Sequence, residues 1–95
     1  MTARINVPCN GNAGNNVIDK VADTITFGTS GNCKFISFQF TPTDPAPGFS
    51  NKQYSADKST VSYDYDGSSI PASGDTFTYS TTTPAAGNGT GVIKN

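Results

Sequence analysis

The sequence predicts an all-β protein, a β-sandwich of about seven antiparallel strands. Thr accounts for 13 of the 95 residues and is accompanied by Phe, Tyr, Ile and Val, which fit a pleated surface. Gly, Pro, Asn and Ser interrupt these residues about every 8–12 positions, as turns do in small sandwiches. Helix formers are scarce, because Leu and Glu are absent. Residues 1–95 are predicted to form a single domain.

The first predicted strand covers residues 4–9, where Ile5 and Val7 alternate with polar neighbours. The Asn- and Gly-rich residues 10–16 predict a loop. Residues 17–21 are compatible with a single helical turn or with a strand that continues into the next one.

Residues 23–40 are the densest apolar stretch and predict a β-hairpin with its turn at 28–32. Ile25 and Phe27 are expected to face the core from its first strand. In the second strand Phe35 falls on the opposite face from the predicted core residues, which are Ile36, Phe38 and Phe40.

The proline-rich residues 41–48 cannot join a ladder and predict an extended crossover between the two sheets. Phe49 and Tyr54 are expected to cover the edge of the core. A strand is then predicted over 58–66. Its apolar face carries Val61, Tyr63 and Tyr65.

The C-terminal third alternates between loops and strands. Residues 68–74 and 82–91 are predicted loops, and residues 76–81 are a predicted strand that buries Phe77 and Tyr79. Val92 and Ile93 are expected to form a final edge strand.

Cys9 and Cys33 are the only cysteines, and they lie at the end of one predicted strand and the start of another. They would form a disulfide in an oxidising compartment, or remain buried thiols in a reducing one. The disulfide is the favoured prediction, because a chain with so few apolar residues needs a covalent link. It favours a secreted or surface-associated protein, although no signal peptide is visible and the compartment stays open.

The charge balance argues against two classes of partner. Six basic and seven acidic residues give a net charge of −1 without a basic cluster, so no nucleic-acid partner is predicted. No apolar run approaches the ~20 residues of a membrane-spanning helix, so no membrane insertion is predicted.

The absence of His and Glu predicts that the chain is not an enzyme. It removes Ser-His and Cys-His nucleophile pairs, His general bases and His-ligated zinc or copper. The seven Asp residues fall mainly in turns and at strand starts, where carboxylates cap backbone N–H groups.

Asp64 and Asp66, with Asp75 nearby, are the candidate ligands of a loose surface Ca²⁺ site. The alternative is an ordinary hairpin turn, because Ser73 stands where a calcium-binding loop needs its bidentate acid. No other cofactor is predicted.

Tyr63 and Tyr65 are the candidate ligand-binding residues. Their rings would stack on a sugar or peptide while neighbouring hydroxyls and amides supply hydrogen bonds. The alternative is that both rings fill a sheet face.

These observations favour a non-catalytic structural or binding module with a protein or glycan partner. Thr-rich edge strands with few charges can add strands to a neighbour, so a homo-oligomer formed through edge strands is one form of this prediction. The alternative function is a carbohydrate-binding module that uses surface Tyr, Asn and Thr residues.

Several segments resemble small bacterial proteins of the DP-EP family. The resemblance is carried by residues 23–40, the DPAPGF segment at 44–49, residues 69–71, residues 74–79 and the terminal GVIKN. The order of these features is also similar to immunoglobulin-like and cupredoxin-like sandwiches. It implies that fold, without the copper ligands of cupredoxins, and it assigns no site residue.

Overall fold

The computed structural model describes residues 2–9, 13–17, 23–41, 44–46, 48–66, 76–82 and 87–94. This part of the chain forms eight strands and no helix: β1 (Thr2–Val7), β2 (Gly14–Val17), β3 (Thr24–Thr29), β4 (Phe35–Thr41), β5 (Phe49–Tyr54), β6 (Thr60–Tyr65), β7 (Thr76–Thr81) and β8 (Gly87–Lys94). They make two four-stranded sheets, with the orders β1-β3-β6-β5 and β2-β8-β7-β4. The prediction of an all-β sandwich is confirmed.

Four of the six ladders in the described residues are antiparallel, as predicted, and two are parallel. The parallel ladders join β1 to β3 and β2 to β8. Residues 14–16, predicted as loop, belong to β2, and residues 87–91, also predicted as loop, belong to β8. Because β8 lies between β2 and β7, it is an interior strand and not the predicted edge strand.

The predicted hairpin at 23–40 is wrong, although both of its strands exist. β3 pairs with β1 and β6 in one sheet, whereas β4 pairs with β7 in the other. The two strands face each other across the core, where the ring centroids of Phe27 and Phe38 are 4.5 Å apart. Alternation specifies which face of a strand is buried, but it does not specify the neighbour that hydrogen-bonds to its edge. The predicted crossover after residue 41 is confirmed, since β4 and β5 lie in different sheets.

Aromatic rings fill the space between the sheets. Phe38 stacks on Phe77 with ring centroids 5.3 Å apart, and Phe40 packs against Tyr63 at 4.9 Å. The buried apolar residues of the described part are Ile5, Val7, Ile25, Phe27, Cys33, Phe35, Phe38, Phe40, Ala46, Phe49, Val61, Tyr63, Tyr65, Phe77 and Tyr79. Burying a large aromatic side chain is strongly stabilising, so the nine buried residues among the ten Phe and Tyr of the sequence compensate for the absence of Leu.

A β-bulge changes the face that the start of β4 presents to the core. The pairing with β7 shifts between Phe35 and Ser37, so one extra residue is inserted there. Phe35 is therefore buried together with Phe38, whereas Ile36 is 58% exposed. The prediction that Ile36 lies in the core with Phe35 on the other face is wrong for this reason.

A second bulge lies in β5, on the opposite sheet. The pairing of β5 with β6 shifts between Ser50 and Gln53, and Asn51 there has a φ of 55°. Asn tolerates this left-handed conformation better than most residues do. Phe49 and Tyr54 are thus the two ends of a strand that the sequence did not predict, and not separate covers on the core edge.

The predicted disulfide between Cys9 and Cys33 is present, with the two Cα atoms 5.8 Å apart. It joins the residues after β1 to the residues before β4 and therefore links the two sheets. Thr81, which is fully buried, donates a hydrogen bond to the carbonyl oxygen of Cys9. A Cβ atom at Gly31 would lie 2.9 Å from the Cys9 sulfur, so a larger residue there would press on the disulfide.

Candidate functional site

The outer edge of β1 is the candidate functional site, because none of the strands in the described part of the chain pairs with it on that side. The amide of Ser30 donates to the carbonyl of Val7 at 3.0 Å, so the backbone N–H and C=O groups of Val7 point toward β3. Residues along a strand direct these groups to alternate sides. Those of Thr2, Arg4 and Asn6 consequently point away from β3, and all three residues are exposed. An edge strand of this kind is a template for an additional strand.

The side chain of Arg4 lies across the outer face of the same sheet. Its guanidinium group rests over Gly28, where even a Cβ atom would overlap it. Its Nε donates to the Oδ1 atom of Asn6 at 3.2 Å. Gly28 is buried and pairs with Asn6 in the β1–β3 ladder, so the glycine leaves room for the arginine to lie flat on the sheet.

The opposite side of the sandwich, where β4 and β5 are the edge strands, is closed by two side chains and one backbone hydrogen bond. The amide of Phe38 donates to the Tyr54 hydroxyl at 3.0 Å, and its carbonyl accepts a hydrogen bond from Lys52 Nζ. The amide of Phe35 donates to the backbone carbonyl of Lys58 at 2.7 Å. A strand added to β4 would need these same groups, so that edge is blocked.

Asp44 completes this closure from the crossover that follows β4. Its Oδ2 atom lies 3.0 Å from Lys52 Nζ, and its Oδ1 atom accepts a 3.4 Å hydrogen bond from the Tyr63 hydroxyl. Burial, and after it the Asp44 carboxylate, raises the pKa of Tyr63 far above its ordinary value. Tyr63 is therefore a neutral hydrogen-bond donor that links the core to the polar cluster formed by Asp44, Lys52 and Tyr54.

Tyr54 connects the cluster to its cationic neighbours. The Nζ atoms of Lys52 and Lys58 each lie 5.7 Å from the centre of its ring, within the range of a cation–π interaction. Because the hydroxyl of Tyr54 already accepts from Phe38, both ends of this residue are used within the fold. The cluster is a structural clamp between the edges of the two sheets.

The two tyrosines predicted to bind a ligand face the interior. Tyr63 is 1% exposed and Tyr65 is 4% exposed. They follow the inward alternation of β6, in which Val61 is also buried. Rings buried to this extent cannot stack on a sugar, so their assignment to a binding face is wrong.

The structure describes two of the three candidate calcium ligands. Asp64 and Asp66 are both exposed, and Asp75 lies outside the described residues. Asp64 Oδ2 accepts a 3.2 Å hydrogen bond from the Asn51 side chain. Within the described residues no three Asp or Cys side chains form a group suited to a metal ion, so the three-residue calcium site stays a prediction.

Sequence reasoning missed the residues that distinguish the two sides of the sandwich. Lys52 and Tyr54 reach β4 because the bulge at Asn51 turns both toward the opposite sheet. The Asn51-Lys52 pair gives no recognisable bulge signal. Arg4 could have been singled out from the sequence, because it is the single charged residue in the strand TARINV.

Comparison with known proteins gives no assignment for this arrangement. No family model matches the chain, and no curated protein matches it. The resemblance to the DP-EP family therefore stays a prediction. The described residues include no helix that is both long and apolar enough to cross a membrane.

Proposed function

We propose that this chain is a non-catalytic binding module that accepts an extended segment of a partner protein as an additional strand on β1. The observation that carries the proposal is the contrast between the two sides of the sandwich. The β4 edge is blocked at Phe35 and Phe38, whereas the six residues of β1 form a regular strand whose outer edge is paired with none of the described strands. Added strands bind through backbone hydrogen bonds, and side chains of the partner then supply specificity.

Two further observations support this proposal. The chain contains no His and no Glu, which are the usual side chains of acid–base catalysis. The disulfide at the end of β1 holds that strand in place and is typical of proteins in oxidising compartments. A secreted or surface-exposed module that docks a partner fits both.

A carbohydrate-binding module remains a second candidate, on a different surface. The outer face of the second sheet carries an uncharged polar row in which Gln39, Thr78 and Thr90 pair across three strands. Hydroxyl and amide groups in register could hydrogen-bond to a polysaccharide. A glycan array that stays blank at high protein concentration would remove this candidate.

The strand-addition proposal is tested by giving β1 a partner strand within the same chain. Met1 is replaced by a strand of about six residues that ends in an Asn-Gly turn. The residues that flank a two-residue hairpin turn form a hydrogen-bonded pair. Thr2 can form this pair because its backbone N–H and C=O groups point away from β3, toward the added strand. A matched control carries Pro at alternate positions of the added strand, where it cannot donate to the ladder.

Amide hydrogen exchange measured by NMR is the readout. The amides of Arg4 and Asn6 should exchange quickly in the unmodified protein and in the Pro control, and slowly in the fusion. The amides of Ile5 and Val7 already bond to β3 and should change little. Equally fast exchange of Arg4 and Asn6 in the two fusions would show that β1 does not accept a strand.

A further inference from the structure

Within the described residues, Arg4 is a cation without a salt-bridge partner, and it lies beside the outer edge of β1. It is the only charged residue of β1, it is exposed, and it forms no salt bridge in the described part of the chain, where the ion pairs join Lys34 to Asp57 and Lys52 to Asp44. Its hydrogen bond to the Asn6 side chain is exposed to solvent, so replacing it with a hydrogen bond to another acceptor costs little. The guanidinium group is available to an incoming carboxylate.

A strand added antiparallel to β1 would place one of its residues directly opposite Arg4. The side chains of such a pair lie on the same face of the sheet, with Cβ atoms about 5 Å apart. A carboxylate at that position is within reach of the arginine and can accept two parallel N–H···O hydrogen bonds. We infer that β1 selects partner strands that carry an acidic residue opposite Arg4. This inference rests on the proposed strand addition.

The same residue disfavours a second copy of the chain as the partner. Thr2, Arg4 and Asn6 supply the outward backbone groups of β1. The two-fold antiparallel register that uses all three on both copies is centred on Arg4 and places it opposite its symmetry mate. Like charges directly opposite each other destabilise a strand pair. The occupant is therefore an acidic strand of another protein, and homodimerisation is an outcome that the test must distinguish.

The experiment compares two fusions that differ in one residue. The strand added before Thr2 carries either Glu or Gln at the position opposite Arg4, and each fusion is also made with Arg4→Gln. The amide protection of Arg4 and Asn6 is measured at low ionic strength for the two fusions. In the Arg4→Gln background, the protection of the Asn6 amide is compared between the Glu fusion and the Gln fusion.

With Arg4 present, protection should be about two- to fivefold greater for Glu than for Gln. The preference should disappear in the Arg4→Gln background and weaken as salt is added. Equal protection by Glu and Gln would overturn the acidic preference while leaving strand addition intact. Absence of protection in every fusion would overturn strand addition itself. Sedimentation equilibrium of the unmodified chain should give a monomer, and a dimer whose formation protects Arg4 and Asn6 would make a second copy the occupant and refute the inference.

Discussion

Removal of the disulfide should cost this protein much of its stability. Cys9 and Cys33 are 24 positions apart in the sequence, and a closed loop of that length contributes about 3.5 kcal/mol in the loop-entropy model. Small domains have total unfolding free energies of about 5–15 kcal/mol. The loss should thus be a large fraction of the total.

Urea unfolding of three samples measures this loss. These are the oxidised protein, the same protein with the disulfide reduced, and the Cys9→Ala/Cys33→Ala variant. The reduced sample should unfold with a free energy about 3.5 kcal/mol lower than that of the oxidised protein, and the double-alanine variant should lose at least as much because Cys33 is fully buried. The reduced sample keeps both sulfur atoms, so it separates the loss of the covalent link from the loss of packing around the buried Cys33. A decrease below about 1 kcal/mol in the reduced sample would refute the loop-entropy reasoning.

The same reduction should loosen the candidate docking edge. β1 is an edge strand that hydrogen-bonds to a single neighbour, and Cys9 ties its C-terminal end to the other sheet. Exchange at the Val7 amide should therefore accelerate more than exchange at the Phe77 amide, which belongs to an interior strand. Equal acceleration at the two amides would show that reduction lowers global stability alone.

Three substitutions test other parts of the fold. Tyr54→Phe removes the acceptor of the Phe38 amide and should lower the unfolding free energy by about 1 kcal/mol in a urea titration. Tyr65→Phe should leave the stability unchanged or raise it, because the buried Tyr65 hydroxyl has no hydrogen-bond partner in the described residues; calorimetry showing a loss above about 1 kcal/mol would contradict this. Hydrogen bonds from Ser59 are the main cause that lowers the pKa of Asp57 well below its usual range, so Ser59→Ala should raise the carboxyl titration midpoint measured by NMR. Since the folded-state pKa of Asp57 is depressed, its stabilising contribution is present above the unfolded-state pKa and is lost as the pH falls through the folded-state value.

Matched controls accompany these substitutions. Gln53→Ala, on the exposed face of the same strand as Tyr54, should leave the urea midpoint unchanged. Tyr63→Phe removes the hydrogen bond to Asp44 and should destabilise, in contrast to Tyr65→Phe. An Asp57 midpoint that does not move in Ser59→Ala would show that the Ser59 hydroxyl is not the main cause.

The sequence predicted what each strand buries more accurately than how the strands are connected. Ile25 and Phe27 face the core as expected, because alternation reports the buried face directly. The neighbours of that strand could not be read from the pattern. A parallel pairing between residues 2–7 and 24–29 depends on the path of the intervening chain, which short-range turn signals do not encode.

The two bulges set the limit of prediction within single strands. A bulge changes the side-chain phase by one position, so it reversed the assignments of Phe35 and Ile36. It also concealed β5, whose sequence FSNKQY has no simple alternation of apolar and polar residues. The closed side of the sandwich depends on these irregularities. The two tyrosines of the regular strand β6 turned out to be core residues, whereas Lys52 and Tyr54 of the irregular strand close an edge.

The asymmetry between the two sides of the sandwich has a structural cause, which supports the proposal that β1 is the binding edge. Each strand of the closed side carries a bulge, and the bulge in β5 turns Lys52 and Tyr54 toward the unused groups of Phe38. Bulges and charged side chains are the common means by which proteins protect edge strands from unwanted pairing. β1 has no bulge in its ladder with β3, and its single charge is at Arg4. Arg4 leaves the outward backbone groups of β1 accessible and does not close the edge. Under the proposal, its charge instead influences which strand pairs with β1.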